Sequence, residues 1–153
     1  CALPICFMPS KTLGIYVRGV PHPINNPGHA KPVDISEVFS LIFETLESNS
    51  EIENIFISSH TLEFRKSISK KLGSKYKIYD DFRFKNSSLL SNYLLEKNGL
   101  KISKPIHQLD YLIETILLSK SQIMIAEISN ASAFAAGLAD STQVKKFVNH
   151  GFY

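Results

Sequence analysis

Gln122-Ile123-Met124-Ile125-Ala126-Glu127-Ile128-Ser129-Asn130-Ala131-Ser132 is a short apolar run that ends in a cluster of small polar residues. Its length and its flanks mark a buried strand rather than a helix. Beyond Ser132 the chain is Ala-rich, and residues 133–139 read as a helix whose small side chains permit close approach to a sheet. A buried strand that turns sharply into a helix is the repeating unit of a parallel α/β sheet.

The same alternation extends in both directions. Upstream, Gln108 to Ser119 carries Leu109, Leu112, Ile113, Ile116 and Leu117 at helical spacing, which predicts a helix buried along that stripe. On that reading Asp110 and Glu114, four residues apart, fall on the solvated side. Residues 88–96 also read as helical, and Asn98-Gly99 as a turn. Tyr76–Tyr79 and Asn54–Ser58 are short strands. Between them lies a helix from about His60 to Leu72, with Lys70 and Lys71 in its last turn and Gly73 suited to the position after its end. Asp34 and Glu37 form a capping-box-like pair at the start of another helix, striped by Ile35, Val38, Phe39, Ile42, Phe43 and Leu46. Leu13–Arg18 is the first strand and Val144–Val148 the last. The expected fold is a single three-layer, Rossmann-like α/β domain with a mostly parallel sheet.

Residues at the carboxyl edge of such a sheet are the candidates for chemistry. The turn Ser129-Asn130-Ala131-Ser132 brings short donor side chains and the positive end of a helix to that edge, which suits an anion. The same serine or asparagine would equally serve as an N-cap. Arg18 ends the first strand at the same edge, and a guanidinium there suits bidentate bonding to phosphate. Glu127 ends the other buried strand, as an edge acid or a ligand contact. His22 lies in a Pro-rich loop from Gly19 to Val33 that holds four of the chain's seven prolines, and His60 follows the second strand. A long Pro/Gly loop in that position is more often functional than a mere connection. There is neither a G-x-G-x-x-G nor a G-x-x-x-x-G-K-[ST] motif, so the dinucleotide and P-loop classes lose their signature.

At these positions the sequence resembles the donor-binding C-terminal half of the α1,6-fucosyltransferase, nodulation fucosyltransferase and protein O-fucosyltransferase superfamily. Three blocks carry the resemblance, in order: Leu13-Gly14-Ile15-Tyr16-Val17-Arg18-Gly19-Val20; Asn54-Ile55-Phe56-Ile57-Ser58-Ser59-His60; and Leu112 through Glu114, Leu117, Leu118 and Ser119 to Ser129-Asn130-Ala131-Ser132. Tyr16 stands where that family usually has His, and His60 where Asp is common. The resemblance implies one half of a GT-B fold that holds GDP-fucose or a related sugar nucleotide without a metal or other cofactor. It implies Arg18 as the catalytic cation on the donor diphosphate, Glu114 as the acid facing the nucleotide, and Ser129, Asn130 and Ser132 as the diphosphate-binding turn. The acceptor would be a glycan or a protein. Two other readings stand beside it. Ile125–Ser132 is similar to a strand of nucleoside 2-deoxyribosyltransferases, and the Pro-rich loop would suit a non-catalytic regulatory or protein-binding domain.

Bulk properties narrow the field further. The 153 residues suffice for one domain with a sizeable core, and 44% hydrophobic with 20% charged residues is ordinary for a globular chain. A net charge of +3, with its basic residues scattered, does not suggest a nucleic-acid partner. No run approaches the roughly 18–20 apolar residues of a membrane-spanning helix. Cys1 and Cys6 have no zinc-like spacing, and idle thiols in a reducing cytoplasm are the expectation. With no methionine at its start, the chain is read as a fragment of a longer protein.

Overall fold

The computed structural model describes residues 9–18, 30–59, 61–80 and 104–151. After a 3₁₀ turn at Pro9–Lys11 the elements run β1 (Thr12–Val17), α1 (Ile35–Ser48), β2 (Asn54–Ser59), α2 (Leu62–Leu72), β3 (Lys77–Asp80), α3 (Lys104–Ser119), β4 (Ile123–Glu127), α4 (Asn130–Leu138) and β5 (Val144–Val148). Among the described residues five strands join one sheet in the order β3-β2-β1-β4-β5, and every pairing is parallel. The expected α/β architecture is what the chain forms. The helix expected at 88–96 lies outside the described residues.

Strands β1, β2 and β4 are buried at every residue, as central parallel strands covered on both faces must be. Their alternating side chains divide between two cores. Leu13, Ile15, Val17, Ile55, Ile57, Ile123 and Ile125 meet Val38, Ile42 and Leu46 of α1 and Phe64, Ile68 and Leu72 of α2. On the other face, Tyr16, Phe56, Met124 and Ala126 meet Leu118 of α3 and Ala131 and Ala135 of α4. Each fully buried aliphatic side chain contributes on the order of 1.5–3 kcal/mol.

Local chemistry sets the element boundaries. Asp34 caps α1 by accepting from the Ser36 N–H at 2.8 Å, but Glu37 does not close a capping box. Its carboxylate instead meets His150 Nε2 at 2.5 Å, beyond the end of β5. Gly73 ends α2 with φ of −65°, in the right-handed region. Glycine is needed there for space, because a Cβ would sit 2.5 Å from the Ser69 carbonyl oxygen.

The apolar stripe of α3 does not mark its buried face. Leu109, Leu112 and Ile116 are 57%, 43% and 41% exposed, whereas Glu114, Thr115, Leu118 and Ser119 are buried. Close approach to β1 explains the inversion. A Cβ on Gly14 would lie 2.4 Å from Ser121 Oγ and 3.2 Å from Leu118 Cδ2, so the end of α3 rests on bare backbone. The contact face therefore carries small and polar residues, and Glu114 lies inside, not on the solvated side.

Candidate functional site

Strand β1 sits between β2 and β4, the point from which the chain winds outward in both directions. The connection after β1 runs to α1 on one face, and the connection after β4 runs to α4 on the other. A crevice at the carboxyl ends of two such strands is the usual ligand position in open α/β sheets. Arg18, Glu127, Ser129, Asn130 and Ser132 all gather there.

Glu127 joins the two strand ends. It is 1% exposed, and its Oε2 accepts from the Arg18 main-chain N–H at 2.9 Å. Its Oε1 accepts from Arg18 Nη2 at 3.0 Å, and the same Nη2 donates to the Ala30 carbonyl at 3.1 Å. Both carboxylate oxygens are thus engaged by one residue, through its backbone and its guanidinium. The Arg18 side chain is 13% exposed. Its Nε is buried with no hydrogen-bond partner, leaving a donor of the guanidinium unspent. An unsatisfied buried donor of this kind costs about 1–3 kcal/mol unless something else accepts from it.

The turn into α4 is held by a capping box. Ser129 Oγ accepts from the Ser132 N–H at 3.1 Å, and Ser132 Oγ accepts from the Ser129 N–H at 2.9 Å. Ser132, fully buried, also donates its hydroxyl to the Glu127 carbonyl at 2.7 Å, so the cap is bolted to the end of β4. The two serines spend their side chains on the fold, and α4 starts at Asn130, three residues before the Ala-rich run suggested. The N–H groups of Asn130 and Ala131 take no part in this cap. They lie at the positive end of the helix, with the exposed Asn130 side chain beside them.

Tyr16, the residue before the last in β1, backs the site. Burial pushes its phenol up to about 12, partly offset by a hydrogen bond with the Ser129 side chain. Glu114 is one strand away. Its Oε2 accepts from Ser58 Oγ at 3.0 Å, and Ser58 is the register partner of Tyr16. Tyr111 of α3 lies within electrostatic reach of the Tyr16 phenol. Arg18, Glu127 and the α4 turn therefore form one cluster, with Tyr16 beneath it and Glu114 set beside it over β2. His22 and His60 lie outside the described residues.

Sequence reasoning missed one participant in the site, Tyr16, and one buried cation elsewhere, Arg65. The hydroxyl of Tyr16 is a polar handle on an otherwise apolar strand, a detectable signal in a buried run. Arg65 is 1% exposed on α2. The spacing Thr61, Arg65, Ile68, Leu72 places it on the helix's buried face, which was the available clue.

Among the described residues no three His, Cys, Asp or Glu side chains cluster as metal ligands. No described helix is long and apolar enough to cross a membrane. A depression of about 420 Å³ lies at the opposite, amino edge of the sheet, lined by Ser10, Gln122 and Gln143 among others. There the Gln143 amide donates to the Leu118 and Ser121 carbonyls at 2.8 Å, tying the start of β5 to the end of α3. Against known proteins, no family model matches the chain and no curated protein matches it.

Proposed function

We propose that this chain is the donor-binding domain of a metal-independent, fucosyltransferase-like glycosyltransferase. It would hold GDP-fucose or a related sugar nucleotide for transfer to a glycan or protein acceptor. The supporting observation is the convergence of Arg18 with the start of α4 at the crevice between β1 and β4.

On this reading the diphosphate sits across the N–H groups of Asn130 and Ala131, beside the Arg18 guanidinium. When the bond from the sugar to the terminal phosphate breaks, negative charge collects on the leaving diphosphate. A helix N-terminus and a fixed guanidinium, its charge partly offset by Glu127, stabilise that charge without reorganising, which is how such sites lower a barrier. Arginine suits the role because its planar guanidinium presents donors in a fixed fork that matches phosphate oxygens. Tyr16 and the capping box hold the donors in place, and Glu114 would face the nucleotide from α3.

Calorimetric titration with GDP, GDP-fucose, UDP and a deoxynucleoside tests the assignment. Binding of GDP and GDP-fucose in clear preference to the deoxynucleoside is expected. A folded chain that binds none of the four would remove the donor-site reading and favour a protein-binding role.

A further inference from the structure

We infer that Glu127 sets this site's preference between a sugar nucleotide and the free nucleoside diphosphate left after transfer; the inference rests on the sugar-nucleotide reading above. Glu127 is a specificity-determining residue here, acting through Arg18 and through its own field.

The argument starts from charge. Arg18 is the cation at the mouth of the crevice, and Glu127 pairs with it directly at 3.0 Å. Glu127 is anchored by a second bond from the Arg18 main chain at 2.9 Å and is 1% exposed. A ligand therefore meets the pair as a unit, with the guanidinium's charge already balanced. What remains attractive is directional: two helix-mouth N–H groups and the partial charge of α4. Such a site rewards shape and hydrogen bonding more than total charge.

The two ligands differ in total charge. A free diphosphate ends in a phosphate monoester, whose second proton leaves near pH 6, so at pH 7.5 it carries about one negative charge more than its sugar ester. On the sugar-nucleotide reading that charge falls on the phosphate that bore the sugar, beside Arg18 and Glu127. At an effective dielectric near 20 and a separation of roughly 8 Å, one unit charge shifts a binding constant by on the order of ten- to thirty-fold. The Glu127 carboxylate thus disfavours the product relative to the donor by about that factor, and it helps the product leave.

The test is a comparison of GDP and GDP-fucose dissociation constants at pH 7.5 for the whole chain and its Glu127→Gln and Glu127→Asp variants. Glu127→Gln is expected to shift the ratio of the two constants about ten-fold toward GDP, and Glu127→Asp, which keeps the charge, to leave it within two-fold of the parent. Equal weakening of both ligands by Glu127→Gln would overturn the inference, because a purely structural role cannot tell ligands with the same nucleotide apart. If Glu127→Gln does not fold, the neutral pair Arg18→Gln/Glu127→Gln decides. Set against Arg18→Gln alone, it should move the ratio about ten-fold back toward GDP, whereas the same ratio in both variants would overturn the inference. A parent chain that binds neither ligand would instead sink the sugar-nucleotide reading itself, and this inference with it.

Discussion

Removing Arg18 should cost far more stability than removing Glu127, although the two are partners. Arg18→Ala keeps the main-chain N–H that donates to Glu127 Oε2 but strips the carboxylate of its counter-charge. Glu127 is 1% exposed. A buried charge left unpaired in this way costs about 3–5 kcal/mol. For a chain of this size each kcal/mol lowers the melting temperature by roughly 2–4 °C, so the expected fall is about 6–20 °C. Glu127→Ala leaves a guanidinium that still donates to the Ala30 carbonyl and reaches solvent over 13% of its side chain. Its cost is mainly the stranded Arg18 N–H, about 1–3 kcal/mol. Replacing both residues, as in Arg18→Ala/Glu127→Ala, removes both charges and should be milder than Arg18→Ala alone. Urea denaturation of the four proteins by circular dichroism measures the cycle. Additive single-variant costs, or an Arg18→Ala loss below about 0.5 kcal/mol, would show that the pair is not the buried clamp described.

Three further outcomes follow from other contacts. Gly14→Ala should destabilise the chain by about 1–3 kcal/mol, because the new methyl group falls 2.4 Å from Ser121 Oγ, and Ser121→Gly in the same chain should restore part of the loss in a thermal melt. Ser129→Ala should cost about 1 kcal/mol by opening the cap of α4, read by the same melt. Tyr16 gives an alkaline signature: with its phenol raised from 10.0 to about 12, the unfolded chain loses that proton first. Its contribution to stability is therefore complete below pH 10 and falls as pH rises toward 12, by about 2–3 kcal/mol in all. Tyr16→Phe should flatten that part of the stability–pH curve, and an unchanged slope would contradict the buried placement of the phenol.

Most of the architecture was legible because its signals are local. Runs such as Ile123–Ala126 and Asn54–Ser58 are apolar on both faces and short, and among strong turn and cap residues they read as central strands. Which helix face points inward was not always legible. In α1 the stripe succeeds at Val38, Ile42 and Leu46. In α3 it fails, since the helix rests on Gly14 and on the Ser58–Glu114 contact, both supplied by residues far away in the chain. The site divides in the same way. Arg18, Glu127 and the Ser129–Ser132 turn could be placed at one edge from strand ends alone. That Glu127 takes both its hydrogen bonds from Arg18 depends on β1 and β4 being neighbours, and strand order is not written in any local motif.

The most direct test of the account is a backbone amide NMR titration of the isotopically labelled chain with GDP. A diphosphate seated in the β1–β4 crevice should shift the Arg18, Asn130 and Ala131 amides most strongly, in a saturable manner. Shifts confined to Gln122, Gln143 and their neighbours at the amino edge of the sheet, or no shifts at all, would contradict it.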